Sequence, residues 1–401
     1  MMPLKSQIYP MVTVEVLRNF GPQPVSSRFV KNPSTSEFLQ EMSLALCPAS
    51  GLVQLVQTFP SEELRPRVPW ITAFEPETHL DELTALLTAL PGLSLDSIVA
   101  GYSSKDDSTL QRLKDRGFKH QWRLDPALDL GLSDPCVFVE SFQLPFCDGA
   151  AARAAERRGR PHLFLVRHVL EHSYDILRFL RSAADVIRDD GYVMFEVPDC
   201  TRAFEAFDYT TLWEEHSVYF TPWSFLQALS AAGFEPLIFE NYPHSFENCM
   251  VAVCRKTSLA KTSPPSRPPE SELSRALHFA SEFPRVTANL HRHLEGLKSQ
   301  GKRMALFGAG HLAVAFLSLH GLADYFECVI DDNPYKEGML LPGSRLPIKC
   351  SKALIDDQIH TCLLSLNPES EEKVIQKNAS FTKSGGHFLS IFPSSERYFA
   401  H

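Results

Sequence analysis

The stretch LFLVRHVLEHSYDILRFLRSAADVIRDDGYVMFEVPDCTRAFEAFDYTTLWEEHSVYFTP, residues 163–222, alternates apolar runs with polar loops. Two of these runs, residues 163–166 and 192–197, predict buried β-strands. Between them, apolar residues spaced three and four apart over residues 176–187 predict a helix that packs on the sheet. The stretch therefore predicts one α/β unit followed by a loop that carries two carboxylates and a histidine.

Polar side chains follow both strands of this unit. His168, Glu171 and His172 come after the first strand, and Trp213-Glu214-Glu215-His216 comes after the second. Ligands of open α/β sheets bind in the crevice beyond the carboxyl ends of the strands. We therefore expect His172 and His216 to face one pocket.

Length and charge limit the class of protein. A chain of 401 residues is too long for one compact core, which predicts two or three domains. The formal net charge of −9 argues against the broad basic face that a nucleic-acid partner needs. The N-terminal residues show no basic segment before an apolar core, and no stretch approaches about eighteen uninterrupted apolar residues. We expect a cytoplasmic protein without a membrane partner, and the oligomeric state stays open.

The cysteine pattern bears on metal binding. Nine cysteines are scattered along the chain, and no two have the CxxC spacing. A structural zinc site needs four nitrogen or sulfur ligands, so an isolated cysteine cannot form one. Free thiols in a reducing compartment are the simpler interpretation. The pattern therefore predicts no metal site.

A second strand, loop and helix precede the central unit. Residues 98–100 predict the strand, and residues 103–108 form a polar loop before the helix. The following strand ends at Asp125, where nucleotide-binding folds commonly place a carboxylate on ribose hydroxyls. A turn formed by Asp125 and the next proline is the alternative interpretation. A short strand is also predicted at residues 136–139.

The C-terminal part shows a third such pattern. The proline- and serine-rich residues 257–272 predict a linker, because this composition does not pack. Beyond it, Gly308 and Gly310 follow an apolar strand, with Asp331 further along the chain. This arrangement fits the G-x-G-x-x-A dinucleotide fingerprint and, taken alone, suggests NAD.

Several of these motifs resemble one family, the SAM-dependent C-methyltransferases that act on nucleotide-linked keto-deoxysugars. VLEH (169–172), DDGYVMFEVPD (189–199) and WEEHSVYFTP (213–222) occur in the family's order. CPASGLVQ (47–54) resembles part of its N-terminal zinc module, and DDNPYKEGMLLPGSRLPI (331–348) resembles its C-terminal domain.

The resemblance implies an α/β protein, with a class I methyltransferase Rossmann-like sheet between a β-rich N-terminal module and a C-terminal Rossmann-like domain. The corresponding ranges are 1–70 for the module, 71–256 for the methyltransferase-like domain, 257–272 for the linker and 273–401 for the C-terminal domain. It implies S-adenosyl-L-methionine (SAM) as the cofactor and a nucleotide-linked sugar, a small molecule, as the substrate.

The resemblance also implies roles for individual residues. The expected catalytic residues are His216 as the base, Glu215 beside it, and His172 as a second histidine that contacts the sugar. The expected cofactor-binding residues are Ser104, Asp107, Asp125 and His168. The expected substrate-binding residues are Trp213, Tyr219, Gly308, Gly310, Asn333 and Lys336. A histidine suits the base because its unperturbed pKa is about 6.5.

Four positions depart from the family pattern. Ser50 stands where the zinc module has a cysteine. Ser104 and Ser108 stand where the cofactor loop has glycines, and a side chain there disfavours positive φ. Trp213 stands where many members have a tyrosine, so stabilisation of an enolate must come from another group.

These departures leave two alternatives to the enzyme. The chain can be a non-catalytic relative that keeps the sugar pocket as a binding module and has lost the use of SAM. It can also be an NAD-linked oxidoreductase that uses the turn at Gly308. Whether the polar loop at residues 103–108 binds SAM distinguishes the enzyme from the binding module. Whether the turn at Gly308 binds NAD distinguishes the oxidoreductase.

Overall fold

The structure is a computed structural model that describes residues 4–71, 75–134, 136–257 and 267–400. Most of the predicted linker, residues 257–272, lies outside the described residues. The strands are β1 Glu15–Pro24, β2 Leu39–Leu46, β3 Val53–Leu55, β4 Ile98–Gly101, β5 His120–Arg123, β6 Leu163–Arg167, β7 Tyr192–Asp199, β8 Val218–Tyr219, β9 Phe234–Tyr242, β10 Asn248–Lys256, β11 Met304–Phe307, β12 Cys328–Ile330, β13 Ile348–Lys349, β14 Thr361–Leu364 and β15 His387–Ser390.

The helices follow the same chain order. They are α1 Ser61–Leu64, α2 Leu80–Thr88, α3 Asp107–Asp115, α4 Pro126–Leu130, α5 Val139–Pro145, α6 Ala151–Arg158, α7 Ile176–Val186, α8 Thr201–Ala206, α9 Pro222–Ala231, α10 Glu270–Ser299, α11 His311–His320, α12 Ala353–Asp356, α13 Glu371–Lys377 and α14 Ala379–Lys383. None of the helices that the structure describes is long and apolar enough to span a membrane.

The central sheet has the strand order β5-β4-β6-β7-β10-β9. Strands β5, β4, β6 and β7 are parallel, while β10 runs antiparallel to both of its neighbours. Every residue of β6 and β7 is buried, as expected for parallel strands covered on both faces. Helix α7 covers one face with Ile176, Phe179, Leu180 and Ala183. The predicted class I methyltransferase sheet is confirmed.

The C-terminal sheet is a separate parallel sheet with the order β13-β12-β11-β14-β15. Its strand order reverses at β11, whose carboxyl end leads into the turn at Gly308 and then into α11. Ligands of doubly wound sheets bind at such a switch point. The glycine turn therefore occupies the ligand-binding edge of this domain.

The N-terminal sheet includes a strand from the central region. Its order is β1-β2-β3-β8, and all of its pairings are antiparallel. Strand β8 directly follows the WEEH motif and pairs Tyr219 with Val53. The backbone N–H of Leu55 also donates to the carbonyl of Ser217 at 2.8 Å. The loop that carries His216 is thus held between the central and N-terminal sheets.

One predicted element is wrong. Residues 136–139 were expected to form a strand, but residues 136–138 lie in a turn and irregular structure, and Val139 begins helix α5. The helix buries Val139, Phe142 and Gln143, which have helical spacing. Gln143 fixes the helix by donating from Nε2 to the carbonyl of His172 at 2.6 Å and accepting the N–H of Tyr174 at 3.0 Å.

Candidate active site

One cleft lies where the three sheets meet. Its volume is about 700 Å³, within the range of small-molecule sites. The N-terminal part contributes Ser26, Phe29 and Trp70; the central region contributes Glu75, His168, Glu171, His172, Trp213, Glu215 and His216; the C-terminal domain contributes Gly310, His311, Asn333 and Lys336. The cleft therefore lies at the carboxyl ends of the strands of two parallel sheets.

His216 lies on the wall of this cleft and is partly exposed. Its ring is 4.8 Å from the ring of His172, nearly perpendicular to it, and 5.0 Å from the ring of Trp213. Burial, followed by the nearby His172 and Lys105, lowers the pKa of His216 well below its usual value. The imidazole is therefore neutral near pH 7 and has a lone pair with which to accept a proton.

Glu215 is buried beside His216 and lines the same cleft. Burial, together with the charges of Glu140 and Glu214, raises the pKa of Glu215 well above its usual value. Its Oε2 atom is buried without a hydrogen-bond partner among the described residues. A carboxyl group that stays protonated near neutral pH can donate a hydrogen bond into the cleft.

His172 is held by helix α5. Its Nδ1 atom lies 2.6 Å from Oε1 of Glu140, and both side chains are about 1% exposed. Glu140 was not expected at the site, because helix α5, which carries it, was not predicted. The contact places Glu140 against the ring of His172, whose two nitrogens have no hydrogen-bond partner among the described residues.

Trp213 joins the central region to the C-terminal domain. Its indole stacks on the imidazole of His311, with the ring centroids 4.3 Å apart and the planes 20° apart. Its Nε1 atom donates to Oγ of Ser26 at 3.2 Å. His311 is the first residue of α11, directly after the glycine turn. Trp213 therefore contacts residues from both flanking parts of the chain.

The motif DDNPYK braces the glycine turn. The carboxylate of Asp331 accepts the backbone N–H of Ala309 at 3.0 Å and pairs with Nζ of Lys336 at 2.9 Å. Lys336 also donates to the carbonyl of Ala309 at 2.7 Å. Gly308 has φ +105 and packs against the carbonyl of Ser365. The dinucleotide fingerprint would place Asp331 against a ribose. In this chain its carboxylate instead contacts groups of the turn itself.

A network of charged side chains lies where β6 ends, in the central sheet. Arg167, 1% exposed, donates to Glu196 at 2.6 Å and 3.1 Å, and Nε2 of His168 lies 3.0 Å from the same carboxylate. Burial opposes ionisation of Glu196, but Arg167 outweighs it, so the pKa of Glu196 lies well below its usual value. For His168, the charge of Glu75 and neighbouring hydrogen bonds outweigh burial and raise its pKa well above its usual value.

The loop after β4 is closed by its own side chains. The carboxylate of Asp106 accepts the backbone N–H groups of Tyr102, Ser103 and Arg167 at 2.9 to 3.0 Å. Lys105 extends toward the cleft, where it pairs with Glu75 at 2.7 Å and donates to the carbonyl of His168 at 2.9 Å. Burial dominates the pKa of Asp106 and raises it to about 7.

The expected cofactor residues occupy different places around this loop. Ser104 is exposed, and Asp107 pairs with Arg123 at 2.8 Å. Asp125 precedes α4, and its Oδ1 accepts the N–H groups of Ala127 at 2.9 Å and Leu128 at 2.8 Å. None of these three side chains lines the cleft, whereas His168 does.

The expected catalytic and substrate residues are mostly together. His172, Trp213, Glu215, His216, Gly310, Asn333 and Lys336 all line the cleft. Tyr219 and Gly308 do not. Tyr219 is 1% exposed and donates its hydroxyl to the carbonyl of Trp213 at 3.2 Å. The sequence analysis missed Glu75, Glu140 and His311; only His311 had a local signal, as the first residue after the glycine turn.

Two family models match the chain. A model described as "C-methyltransferase C-terminal domain" matches residues 270–393, and one described as "Methyltransferase domain" matches residues 57–237. The chain therefore carries a methyltransferase domain followed by a C-methyltransferase C-terminal domain. It is a SAM-dependent methyltransferase, and S-adenosyl-L-methionine is its cofactor.

A curated relative agrees with this assignment. The C-methyltransferase NovU of Streptomyces niveus is 22% identical over 393 residues, covering 94% of this chain and 92% of NovU. Among solved structures, a Burkholderia thailandensis 1,6-didemethyltoxoflavin-N1-methyltransferase is 16% identical, with coverage of 45% of this chain and 80% of its own and a TM-score of 0.29. A Leishmania major SAM-dependent methyltransferase is 11% identical, covering 44% and 71%, with a TM-score of 0.30.

The residues at the strand ends fit the cationic end of SAM. Oε2 of Glu171 is buried without a hydrogen-bond partner among the described residues, and Glu171 and Glu75 both line the cleft. Lys105 and His168 outweigh the effect of burial on Glu75 and lower its pKa to about 2, so this carboxylate is charged. Carboxylates in this position would hold the ammonium and sulfonium groups of SAM.

Proposed function

We propose that this methyltransferase methylates a carbon atom next to the ketone of a nucleotide-linked keto-sugar, by way of an enolate. One observation carries the proposal: His216, whose pKa is lowered, and Glu215, whose pKa is raised, both line the cleft, and each offers an atom within 4.8 Å of His172. A base and an acid side by side are what proton removal next to a ketone requires.

The two side chains take complementary roles in this proposal. A ring nitrogen of His216 accepts the proton from the carbon next to the ketone, and the electron pair of the broken C–H bond forms the enolate. The carboxyl group of Glu215 donates a hydrogen bond to the enolate oxygen, where the negative charge develops. This supplies the donor that the tryptophan at position 213 cannot provide. SAM, when bound, supplies the electrophilic methyl group.

His172 and Trp213 position the reacting sugar. His172 lies against Glu140, and its ring presents an edge next to His216. Trp213 is fixed by the stack on His311, which makes it a flat wall between the central and C-terminal parts of the cleft. Side chains locked by neighbours hold a substrate with little loss of freedom at the moment of reaction.

Support for a nucleotide comes from the mouth of the cleft. The rings of Trp70 and Tyr335 are stacked, 5.7 Å apart with a 9° angle, and Phe29 lies 5.9 Å from Trp70. Tyr335 is 62% exposed, so this aromatic surface is open to a ligand. Lys336 lies on the same loop and provides a cation within reach of a phosphate. A nucleobase would stack on the aromatic rings.

Proton exchange tests the base without requiring complete turnover. A nucleotide-linked keto-sugar incubated with the protein in deuterated water should exchange its proton next to the ketone, followed by mass spectrometry. We expect His216→Ala to slow this exchange by a factor of about 10² to 10⁴, the usual effect of losing a general base. His278→Ala is the matched control, because His278 lies on α10 with 64% of its side chain exposed.

The outcomes separate the alternatives. Exchange at the wild-type rate in His216→Ala would refute the role of His216. Exchange without methylation in the wild-type protein would support the alternative that the chain is a non-catalytic relative, which binds the sugar and has lost the use of SAM. If several keto-sugars show no exchange while another acceptor is methylated, the proposal that the substrate is a keto-sugar is refuted.

A further inference from the structure

A cluster of metal-type ligands lies next to the cleft and has no part in the proposed reaction. It contains His79 at the start of α2, and His244 and Cys249 from the hairpin of β9 and β10. Each of these three residues offers a nitrogen or sulfur atom, and the three atoms lie within 4.8 Å of one another. His79 is 5% exposed and Cys249 is fully buried, so the ligands are already gathered in the folded chain.

The spacing of the atoms matches a tetrahedral site. Nδ1 of His79 lies 3.1 Å from Nε2 of His244. Two imidazole nitrogens on one zinc ion at the usual bond length lie about 3.3 Å apart. A second group of possible ligands, His168, Glu196 and Cys249, shares the thiol, with Sγ 3.9 Å from Nε2 of His168.

The other nitrogen of each imidazole lies near an oxygen atom. Nε2 of His79 lies 3.2 Å from the carboxylate of Glu196. Nδ1 of His244 lies 3.3 Å from the hydroxyl of Thr78. Histidines that bind metals usually donate their second N–H to a carboxylate or another oxygen, which fixes the ring and leaves the opposite lone pair free. If both rings donate in this way, their two lone pairs face each other across 3.1 Å, an arrangement that a cation stabilises.

We propose that His79, His244 and Cys249 form a binding site for a zinc-class divalent metal ion. Two imidazoles and one thiolate are ligands that zinc prefers, and three protein ligands leave a fourth position. His244 lines the cleft, so that fourth position is accessible from the side where the substrate is proposed to bind. The site shares no residue with the cysteine-poor N-terminal module. It differs from the prediction of no metal site, which was based on cysteine spacing.

Cobalt titration tests the site in the full-length protein. After dialysis against a chelator, we expect the wild-type protein to bind one Co²⁺ per chain, with a thiolate-to-cobalt charge-transfer band in the near ultraviolet that Zn²⁺ abolishes. Cys249→Ser should remove the band, and His244→Asn should weaken binding at least about tenfold. The matched controls are Cys254→Ser, a buried cysteine on the same strand, and His278→Asn, an exposed histidine; both should keep the band.

Thermal unfolding of each variant establishes that it is folded before titration. If Cys249→Ser does not fold, His244→Asn carries the test, because the side chain of His244 is partly exposed. A wild-type protein that binds no Co²⁺ with a thiolate band would refute the proposal. So would a band that persists in Cys249→Ser, or equal binding by the wild-type protein and folded His244→Asn. In those cases the two histidines are joined by a hydrogen bond alone.

Discussion

Asp125 has two possible roles, and a pair of substitutions separates them. The structure shows that its Oδ1 caps α4 by accepting two backbone N–H groups at 2.8 and 2.9 Å. The resemblance to the methyltransferases assigns its carboxylate to the ribose of SAM. Asparagine keeps a capping oxygen and loses the charge, whereas alanine loses both.

The two roles predict different magnitudes. Loss of the cap in Asp125→Ala should lower the free energy of unfolding by about 1 kcal/mol, while Asp125→Asn should leave it nearly unchanged. A charge-assisted hydrogen bond to the ribose contributes about 2 kcal/mol, and a neutral one about half of that. We therefore expect the Kd for SAM to rise about thirtyfold in Asp125→Ala and about fivefold in Asp125→Asn.

Two measurements on the same samples check these values. Thermal unfolding without ligand reports the cap, and calorimetric titration with SAM and with S-adenosylhomocysteine reports the ribose contact. Asp115→Asn, at the exposed end of α3, is the matched control for loss of one carboxylate. If both Asp125 variants bind SAM like the wild-type protein while only the alanine variant is less stable, Asp125 is a helix cap and does not bind the cofactor.

Two further predictions concern stability. His320 is 5% exposed, and burial, followed by His291, lowers its pKa to about 3. Because the unfolded state binds this proton from about pH 6.5, acid favours unfolding; the wild-type protein should lose about 2 kcal/mol more than His320→Gln between about pH 7 and pH 5 in urea titrations. Equal losses would contradict this. Gly308→Ala should lower the free energy of unfolding by about 2 kcal/mol, because the turn has φ +105 and the new Cβ would lie 3.1 Å from the carbonyl oxygen of Ser365. Gly310→Ala, with open space at its Cβ position, should be nearly neutral by chemical denaturation, and comparable losses in both would refute the strain argument.

Much of the central fold follows from local patterns. The period of apolar residues is sufficient to predict β6, α7 and β7, since each buries a continuous strand or one helical face. The proximity of His172 and His216 follows as well, because each residue lies beyond the carboxyl end of one of two neighbouring parallel strands. These inferences need only short-range periodicity and the general geometry of parallel sheets.

The contacts that determine the chemistry of the site are not local. Glu140, which contacts His172, lies in helix α5, which was not predicted, and His79 and His244 meet across 165 positions of the chain. No periodicity relates residues so far apart. The burial of Glu215 among other carboxylates is likewise a property of the assembled cleft, and it raises the pKa of a side chain that the sequence alone would treat as an ordinary charged carboxylate.

The pairing of β8 with β3 has a consequence for synthesis on the ribosome. Residues 53–55 emerge early, but their strand partner at residues 218–219 follows more than a hundred and fifty positions later. Until then, the N-terminal sheet presents the unpaired backbone groups of Val53 and Gln54, an edge that can pair with other chains. Shielding of this edge by a chaperone during translation would protect nascent chains from aggregation, and a mutation that slows emergence of the WEEH loop would prolong the exposure.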